Sequence, residues 1–303
     1  MRNILICGSS GFVGENLRAF LLKKGFEVRT LDREIQNHDL SYQWPEDTNE
    51  FIAREVLKDL HVIINLAGAN IGQSRWTRKR KKEILKSRTE PQKRLLAALV
   101  HYGYSVDTYL SSSAVGYYGA QTSDTVYLET DKAGDDFLSS VCQAWEEEAM
   151  RFQSVAERIV IFRKGVVIGQ GGGMYKKLFP LAVRHINTCI GKGEHYLPWI
   201  CLKDLLRLYE FSIFQQEMEG VFNVAAPQSI RMKDLSRELA LSVGKRRWTP
   251  PAPLFAVRLL FGEMSDLLSE GSRVHIGKLL KTGFNFQYST LKKAFEDINK
   301  DKK

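Results

Sequence analysis

Three side chains capable of acid–base chemistry stand within six residues of one another: Ser113, Tyr117 and Tyr118. They follow the segment Thr108–Ser111, which is typical of a buried strand. A serine hydroxyl can orient a reacting carbonyl, and a phenol can donate a proton to it. Both tyrosines also fit packing or ligand stacking. The segment therefore predicts a catalytic centre at a strand end and leaves the role of the tyrosines open.

A glycine-rich turn near the start of the chain predicts a dinucleotide site. The apolar run Ile4–Cys7 leads into glycines spaced G-x-x-G-x-x-G and then into an amphipathic helix pattern. Glycines let the backbone turn sharply, and the first amides of the next helix are free to bind a phosphate. We expect a pyrophosphate over residues 10–13. The cofactor-binding residues predicted in this turn are Gly8, Ser10, Gly11, Phe12, Val13 and Gly14.

The ends of three further predicted strands complete the expected cofactor cleft. A second strand, residues 26–31, ends at Asp32 and Arg33, and Asp32 stands eighteen residues after Gly14, where it can reach the adenosine ribose. Its carboxylate favours the diol of NAD, whereas the Arg33 guanidinium can bind the phosphate of NADP or stack on adenine. The residues expected at the ends of the third and fourth strands are Leu66, Ala67, Gly68 and Ser111.

Strand and helix patterns alternate along the first half of the chain. Four strand-then-helix units in series predict an α/β fold with a Rossmann-type, doubly wound parallel sheet. We expect a dinucleotide-binding domain over residues 1–163 and a smaller, mostly helical substrate or cap section over 164–303, partly interleaved with the sheet through a strand at residues 222–224. Helices are expected from about residue 47 to 60, at 77–102 with a kink near Pro91, at 135–153, and at 254–263, 272–281 and 291–299.

Composition excludes several classes of protein. The 303 residues are 44% hydrophobic and 26% charged, which fits a globular chain, and no apolar run is long enough for a membrane span or a signal peptide. We therefore expect a cytoplasmic protein. The four cysteines have no metal-ligand spacing, so no metal is expected. Much of the +9 net charge lies in residues 75–88, which fit a polyanion-binding patch or, as we favour, a solvated helix face; no nucleic-acid motif accompanies them.

Eight motifs together resemble the extended branch of the short-chain dehydrogenase/reductase superfamily. They run nearly end to end and include CGSSGFVG, INLAGANI, SSSAVGYYG, DDFLSSVCQAWE, RKGVVIGQGGG and FNVAAP. The chain is most similar to the atypical subgroup known as epimerase-family proteins, related to NAD-dependent epimerases and dehydratases. The resemblance implies an NAD(P) cofactor, with a lean to NADP, and a small-molecule substrate, possibly a nucleotide sugar. No nucleic acid and no membrane partner is expected, and a homodimer is the expected assembly.

The resemblance breaks at catalysis. The superfamily uses a Tyr-x-x-x-Lys pair on a helix together with a serine, and Ser113 matches that serine. The helix that should carry the pair has Cys142 and Glu146 at the two positions, as in the atypical subgroup. The sequence therefore supports two functions: an NAD(P)-dependent enzyme of epimerase or oxidoreductase type that lacks the usual dyad, or a weakly active or inactive dinucleotide-binding protein that acts as a redox sensor or regulator.

Overall fold

The computed structural model describes residues 2–47, 49–120, 122–184, 189–244, 251–265 and 271–300. The strands are β1 (Asn3–Cys7), β2 (Glu27–Asp32), β3 (Ser41–Gln43), β4 (Val62–Asn65), β5 (Val106–Ala114), β6 (Thr122–Tyr127), β7 (Ala156–Lys164), β8 (Val166–Ile168), β9 (Cys189–Ile190), β10 (Trp199–Cys201), β11 (Gly220–Val224), β12 (Pro251–Ala252) and β13 (Gly271–Val274). The helices are α1 (Phe12–Lys23), α2 (Arg54–Leu57), α3 (Arg78–Tyr102), α4 (Phe137–Met150), α5 (Gly173–Val183), α6 (Leu202–Phe214), α7 (Met232–Ser242), α8 (Leu254–Phe261), α9 (Gly277–Lys281) and α10 (Leu291–Lys300).

A seven-stranded parallel sheet forms the centre of the molecule, in the order β11-β7-β5-β4-β1-β2-β3. Because helices cover both faces of such a sheet, its central strands are apolar on both sides, and Ile4–Cys7 and Val62–Asn65 are buried throughout. The chain runs outward from β1 in both directions, toward β2 and toward β4. This reversal leaves a crevice at the carboxyl ends of the strands, where open α/β sheets bind ligands. The fold confirms the predicted Rossmann-type architecture.

The three largest hydrophobic clusters among the described residues hold these layers together. One lies on the face of the sheet covered by α1 and α6, and a second on the face covered by α3 and the end of α4. The third lies in the carboxyl-terminal section, where α5, α7 and α10 surround Trp199. The helices α3 and α4 begin at capping side chains. Asp136 accepts a hydrogen bond from the amide of Ser139 at 2.8 Å and so caps α4, as its sequence predicts.

Two expected helices are wrong. Among the described residues of 47–60, only the single turn α2 is helical, because Lys58 is extended and Asp59 has a φ of 56°. The strand β3, Ser41–Gln43, precedes this range and was missed by the sequence analysis. Residues 272–281 begin as a strand, since Arg273 and Val274 pair in parallel with Val126 and Tyr127. The helix there starts only at Gly277.

Within the described residues, the carboxyl-terminal section adds one strand to the central sheet and takes part in three small sheets. β11 pairs with β7 along five residues and forms the edge of the sheet. The small sheets pair β8 with β10, β9 with β12, and β6 with β13. None of the helices in the described ranges is both long and apolar enough to cross a membrane.

Candidate functional site

The glycine turn after β1 is built around two close backbone contacts. Gly8 has a φ of +83°, and a Cβ on it would lie 2.8 Å from the amide nitrogen of Ala67. A Cβ on Gly14 would lie 2.3 Å from the carbonyl oxygen of Gly8, which no side chain tolerates. These two glycines bring β1, α1 and the end of β4 together. They form the floor of a cradle at the crevice between β1 and β4.

The start of α1 points free amides into this cradle. Gly11 is the N-cap residue, and the first helical bond runs from the amide of Glu15 to its carbonyl at 2.9 Å. Phe12 and Val13 therefore have no backbone acceptor for their amides within the described chain. A Cβ on Gly11 would meet nothing closer than the Gly8 carbonyl at 3.5 Å, so the space above Gly11 is open. This combination of free amides and open space is what a phosphate group requires.

Asp32, at the end of β2, faces the glycine turn. Its Oδ2 accepts a hydrogen bond from the Ser9 hydroxyl at 2.5 Å, and its Oδ1 accepts from the amide and hydroxyl of Ser10 at 3.0 and 2.8 Å. Asp32 is 2% exposed, whereas Arg33 is exposed to solvent. The amide of Ser10 is thus already occupied, so the free amides begin at Phe12 and not at Ser10. The carboxylate stabilises the turn, a role that the sequence analysis did not foresee.

The segment after β4 lies beside this turn. The amide of Leu66 donates to Cys7 at 2.8 Å, and the amide of Ala67 donates to the Asn65 side chain at 3.1 Å. Gly68 is exposed, and the guanidinium of Arg88 lies behind it, 3.2 Å from the position a Cβ would take. These contacts leave the backbone at Leu66, Ala67 and Gly68 close to the crevice.

The serines of β5 point alternately to the two faces of the sheet. Ser111 is fully buried, and its hydroxyl donates to Gln92 of α3 at 3.5 Å. Ser113 is 1% exposed and donates to Glu146 of α4 at 2.6 Å. Ser112 points to the opposite face, toward Tyr209 of α6. Both predicted serines are therefore held by side chains of the neighbouring helices.

A buried ion pair lies at the centre of the candidate catalytic residues. Arg163 of β7 donates from Nε and Nη2 to the two carboxylate oxygens of Glu146, at 2.9 and 2.8 Å. The two side chains are 3% and 10% exposed. Burial alone would lower the pKa of Arg163, but the hydrogen bonds and charge of Glu146, together with Tyr118, raise it above its ordinary value. Arg163 therefore stays charged at every accessible pH.

Both candidate tyrosines contact this arginine. The phenol of Tyr118 accepts from Arg163 at 3.0 Å and donates to Asn223 of β11 at 2.6 Å. Burial raises the pKa of Tyr118 to about 12. The Tyr117 ring lies under the Arg163 guanidinium at 3.3 Å and is only partly buried. The three predicted catalytic side chains thus meet in one network, through Glu146 and Arg163.

The positions of the usual Tyr–Lys pair carry different chemistry. Cys142 is buried, and burial followed by the charge of Glu146 raises the pKa of its thiol to about 12. It is a neutral thiol at physiological pH, as expected from the sequence. Glu146 is bound to Arg163 and Ser113 and cannot imitate a lysine. The Cys142 thiol therefore supplies no proton-transfer group near neutral pH.

Two cations that the sequence analysis missed border the same crevice. Arg88 of α3 donates to the carbonyls of Ile84 and Ala69, and Lys164, the last residue of β7, donates to Ser112 at 2.8 Å. Burial lowers the pKa of Arg88 to about 10 and that of Lys164 to about 7. The only sequence signal was their position: Lys164 begins the predicted carboxyl-terminal section and Arg88 ends the basic stretch. Among the described residues, no group of three potential metal ligands occurs.

The sheet order, the crossover at β1 and the glycine cradle define a dinucleotide-binding protein of the extended short-chain dehydrogenase/reductase class. The chain belongs to the NAD dependent epimerase/dehydratase family, whose family model matches residues 4–225. A second model, described as a domain of unknown function, matches residues 252–298. The family assignment confirms the resemblance inferred from the motifs.

Named relatives cover nearly the whole chain. It is 33% identical to the epimerase family protein ML0860 of Mycobacterium leprae over 96% of this chain and 94% of that protein. The protein YfhF of Bacillus subtilis is 31% identical over 99% of both chains. Among solved structures, human epimerase family protein SDR39U1 with NADPH has a TM-score of 0.87, at 26% identity and with 99% of both chains covered. MoeE5 in complex with UDP-glucuronic acid and NAD has a TM-score of 0.78 at 19% identity, with 99% of this chain and 100% of that chain covered, which shows the shared fold.

Proposed function

We propose that this protein binds NADP(H) along the crevice and acts on a small molecule of the nucleotide-sugar class without a Tyr–Lys dyad. The observation that carries the proposal is the cradle: two glycines that exclude any side chain, open space above Gly11, and free amides at Phe12 and Val13. These residues would hold the pyrophosphate, and Leu66 to Gly68 would lie along the adenosine half. When bound, the nicotinamide supplies a hydride acceptor or donor.

The preference for NADP rests on the opposite orientations of Asp32 and Arg33. Three of the hydrogen bonds that Asp32 accepts come from Ser9 and Ser10, so its carboxylate is directed toward the turn and less available to a ribose diol. Arg33 is exposed and can bind a 2′-phosphate. The NADPH in the human relative agrees with this preference. The substrate class comes from the more distant structural neighbour with UDP-glucuronic acid.

A second candidate function is that of a dinucleotide sensor with little turnover. The observation in its favour is the hydrogen bond from Ser113 to Glu146 at 2.6 Å. In the superfamily, the corresponding serine hydroxyl donates to substrate, and here the same hydrogen is bound to Glu146. Losing a normal acid–base group costs about a hundredfold to ten-thousandfold in rate. Slow or absent turnover of ordinary sugar nucleotides fits both candidates, so a rate alone does not separate them.

A pair of glycine variants tests cofactor binding. Gly11→Val places its side chain in open space, so we expect it to unfold like the wild type while losing NADPH binding in titration calorimetry. Gly14→Ala is the matched control, because its Cβ meets the Gly8 carbonyl at 2.3 Å and should destabilise the fold itself. Normal NADPH affinity in Gly11→Val would refute the cradle as the pyrophosphate site.

Incubation with NADP(H) and a panel of UDP- and dTDP-sugars then separates the two functions. If the protein is an enzyme, it converts one sugar nucleotide into another. Product chromatography detects this conversion even when no net cofactor reduction occurs. A sensor binds NADPH and NADP+ with different affinities and leaves every sugar unchanged. Absence of binding to either dinucleotide would exclude both candidates.

A further inference from the structure

Lys164 carries an amine that no function assigned so far uses. It is the last residue of β7, and its neighbours in the sheet are Ala114 of β5 and Val224 of β11. Its Nζ donates to the Ser112 hydroxyl at 2.8 Å and lies 3.4 Å from the Tyr209 phenol, while these two hydroxyls are 3.2 Å apart. The three groups form a Ser–Tyr–Lys cluster from three separate elements. This cluster lies on the face of the sheet opposite to Ser113.

No carboxylate neutralises this amine. Among the described residues, Lys164 forms no ion pair, and the groups that face it are the hydroxyls of Ser112 and Tyr209 and, through space, the guanidinium of Arg88. Glu146 is bound to Arg163, whose side chain points to the other face because it precedes Lys164 in the strand. Burial, followed by the charge of Arg88, lowers the pKa of Lys164 to about 7. The amine is therefore about half neutral at physiological pH.

We propose that Lys164, held by Ser112 and Tyr209, is the group that exchanges a proton with the reacting hydroxyl or carbonyl at the carboxyl ends of β5 and β7. The proposal rests on the NADP(H)-dependent function proposed above and identifies the residue that replaces the missing dyad. Lys164 keeps part of its surface exposed and lies at the carboxyl end of β7, the edge of the sheet at which the crevice opens. Tyr209 has no exposed surface and therefore acts as a positioning residue for the amine.

The other titratable groups of the network are committed elsewhere. The Ser113 hydroxyl donates a hydrogen bond to Glu146, and the Tyr118 phenol donates one to Asn223. Burial keeps the thiol of Cys142 and the phenol of Tyr118 protonated, since both have a pKa of about 12. A general base works best when its pKa lies near the working pH. Lys164 meets this condition.

The step balances when the nicotinamide accepts the hydride and Lys164 accepts the proton. When a secondary alcohol is oxidised, its carbinol C–H bond breaks and the hydrogen is transferred with both electrons, as a hydride, to the oxidised nicotinamide, while the hydroxyl proton goes to the neutral Lys164 amine. The products are a carbonyl, reduced cofactor and a Lys164 ammonium. In the reverse direction the ammonium returns the proton as the carbonyl is reduced.

A proton-linkage measurement tests the proposal without a substrate. The nicotinamide ring of NADP+ is cationic and that of NADPH is neutral, so NADP+ beside Lys164 should expel the ammonium proton. Titration calorimetry near pH 7 in two buffers of different ionisation enthalpy should show release of up to about half a proton with NADP+. We expect much less with NADPH. Lys164→Met should abolish the release, and the matched control Lys132→Met, at an exposed lysine, should preserve it.

A second measurement does not depend on the cofactor. Trace acetylation with acetic anhydride, quantified for each lysine by mass spectrometry, should give Lys164 a midpoint near pH 7. Tyr209→Phe should shift this midpoint, because it removes one of the two hydroxyls that hold the amine. With any sugar that turns over, Lys164→Met should lose about a hundredfold or more in kcat.

The possible failures are distinguishable. If neither dinucleotide binds, the proposed function is wrong. If NADP+ binds but proton release is the same in Lys164→Met and in the wild type, or if the labelling midpoint of Lys164 coincides with that of Lys132, the assignment of Lys164 is wrong and the cofactor site stands.

Discussion

Removing the carboxylate of Glu146 should destabilise the protein strongly, because Arg163 would stay charged and buried without a counterion. Arg163 is 3% exposed and gives two of its hydrogen bonds to Glu146. Breaking one partner of a buried ion pair costs about 3–5 kcal/mol. The whole stability of a domain is about 5–15 kcal/mol. Glu146→Leu should therefore lose a large part of the free energy of unfolding.

The double variant Glu146→Leu/Arg163→Met separates the charge effect from packing. It removes both charges and replaces them with apolar side chains of similar volume, which is often close to neutral. Ser113 and Tyr118 would each lose a hydrogen-bond partner, at about 1–3 kcal/mol in total. The double variant should therefore be more stable than Glu146→Leu alone by about 2 kcal/mol. Glu146→Gln is the conservative control, since it keeps an acceptor for Ser113.

Urea unfolding followed by circular dichroism measures the wild type, Glu146→Leu, Arg163→Met, Glu146→Gln and the double variant, with linear extrapolation to water. NADPH affinity should change little in the variants, because the network lies away from the glycine cradle. The reasoning is refuted if Glu146→Leu costs less than about 1 kcal/mol, or if the double variant costs as much as the two single changes added together.

Three further outcomes are expected. Asp32→Ser should weaken both dinucleotides by loosening the glycine turn, and removal of the nearby negative charge should shift the ratio of their dissociation constants toward NADP by about 1–2 kcal/mol; an unchanged ratio would show that this charge does not reach the 2′ position. Ser113→Ala should leave NADPH affinity unchanged and should reduce any sugar turnover far less than Lys164→Met does, because the Ser113 hydroxyl already donates to Glu146; complete loss of turnover in Ser113→Ala would place the reacting group beside Ser113 instead. Burial lowers the pKa of His195, so the unfolded state takes up its proton first, and stability should fall as the pH drops below about 6.5; His195→Phe should reduce that loss in urea unfolding, and an equal loss in both proteins would count against it.

The parts of the fold that depend on local patterns were predictable from the sequence. The glycine turn, the buried strands and the cap at Asp136 each follow from residues within one segment. The pairing of β13 with β6 was not predictable, because the partners lie about 150 residues apart and the strand is only four residues long. Residues 272–281 contain enough apolar residues for a helix. The first of them form a strand because β6, far away in the sequence, pairs with them.

In the site, residue types were predictable and their partners were not. The sequence indicates that Cys142 and Glu146 stand where a Tyr–Lys pair is usual. It does not indicate that Glu146 meets Arg163, because that contact joins a helix to a strand across the packed face of the sheet. The orientation of Asp32 toward Ser9 and Ser10 likewise depends on how β2 lies beside the glycine turn.

The position of β11 at the edge of the central sheet has a consequence for synthesis of the protein. When the ribosome has made residues 1–163, β7 has its β5 partner but lacks β11, which lies about 60 residues further on. An apolar strand with an unpaired edge readily pairs with another chain. The nascent chain therefore passes through a stage at which the exposed edge of β7 can pair with another chain. This stage ends when residues 220–224 are made and pair with β7. Expression of the first 163 residues alone should give aggregates, and extension to residue 224 should prevent them.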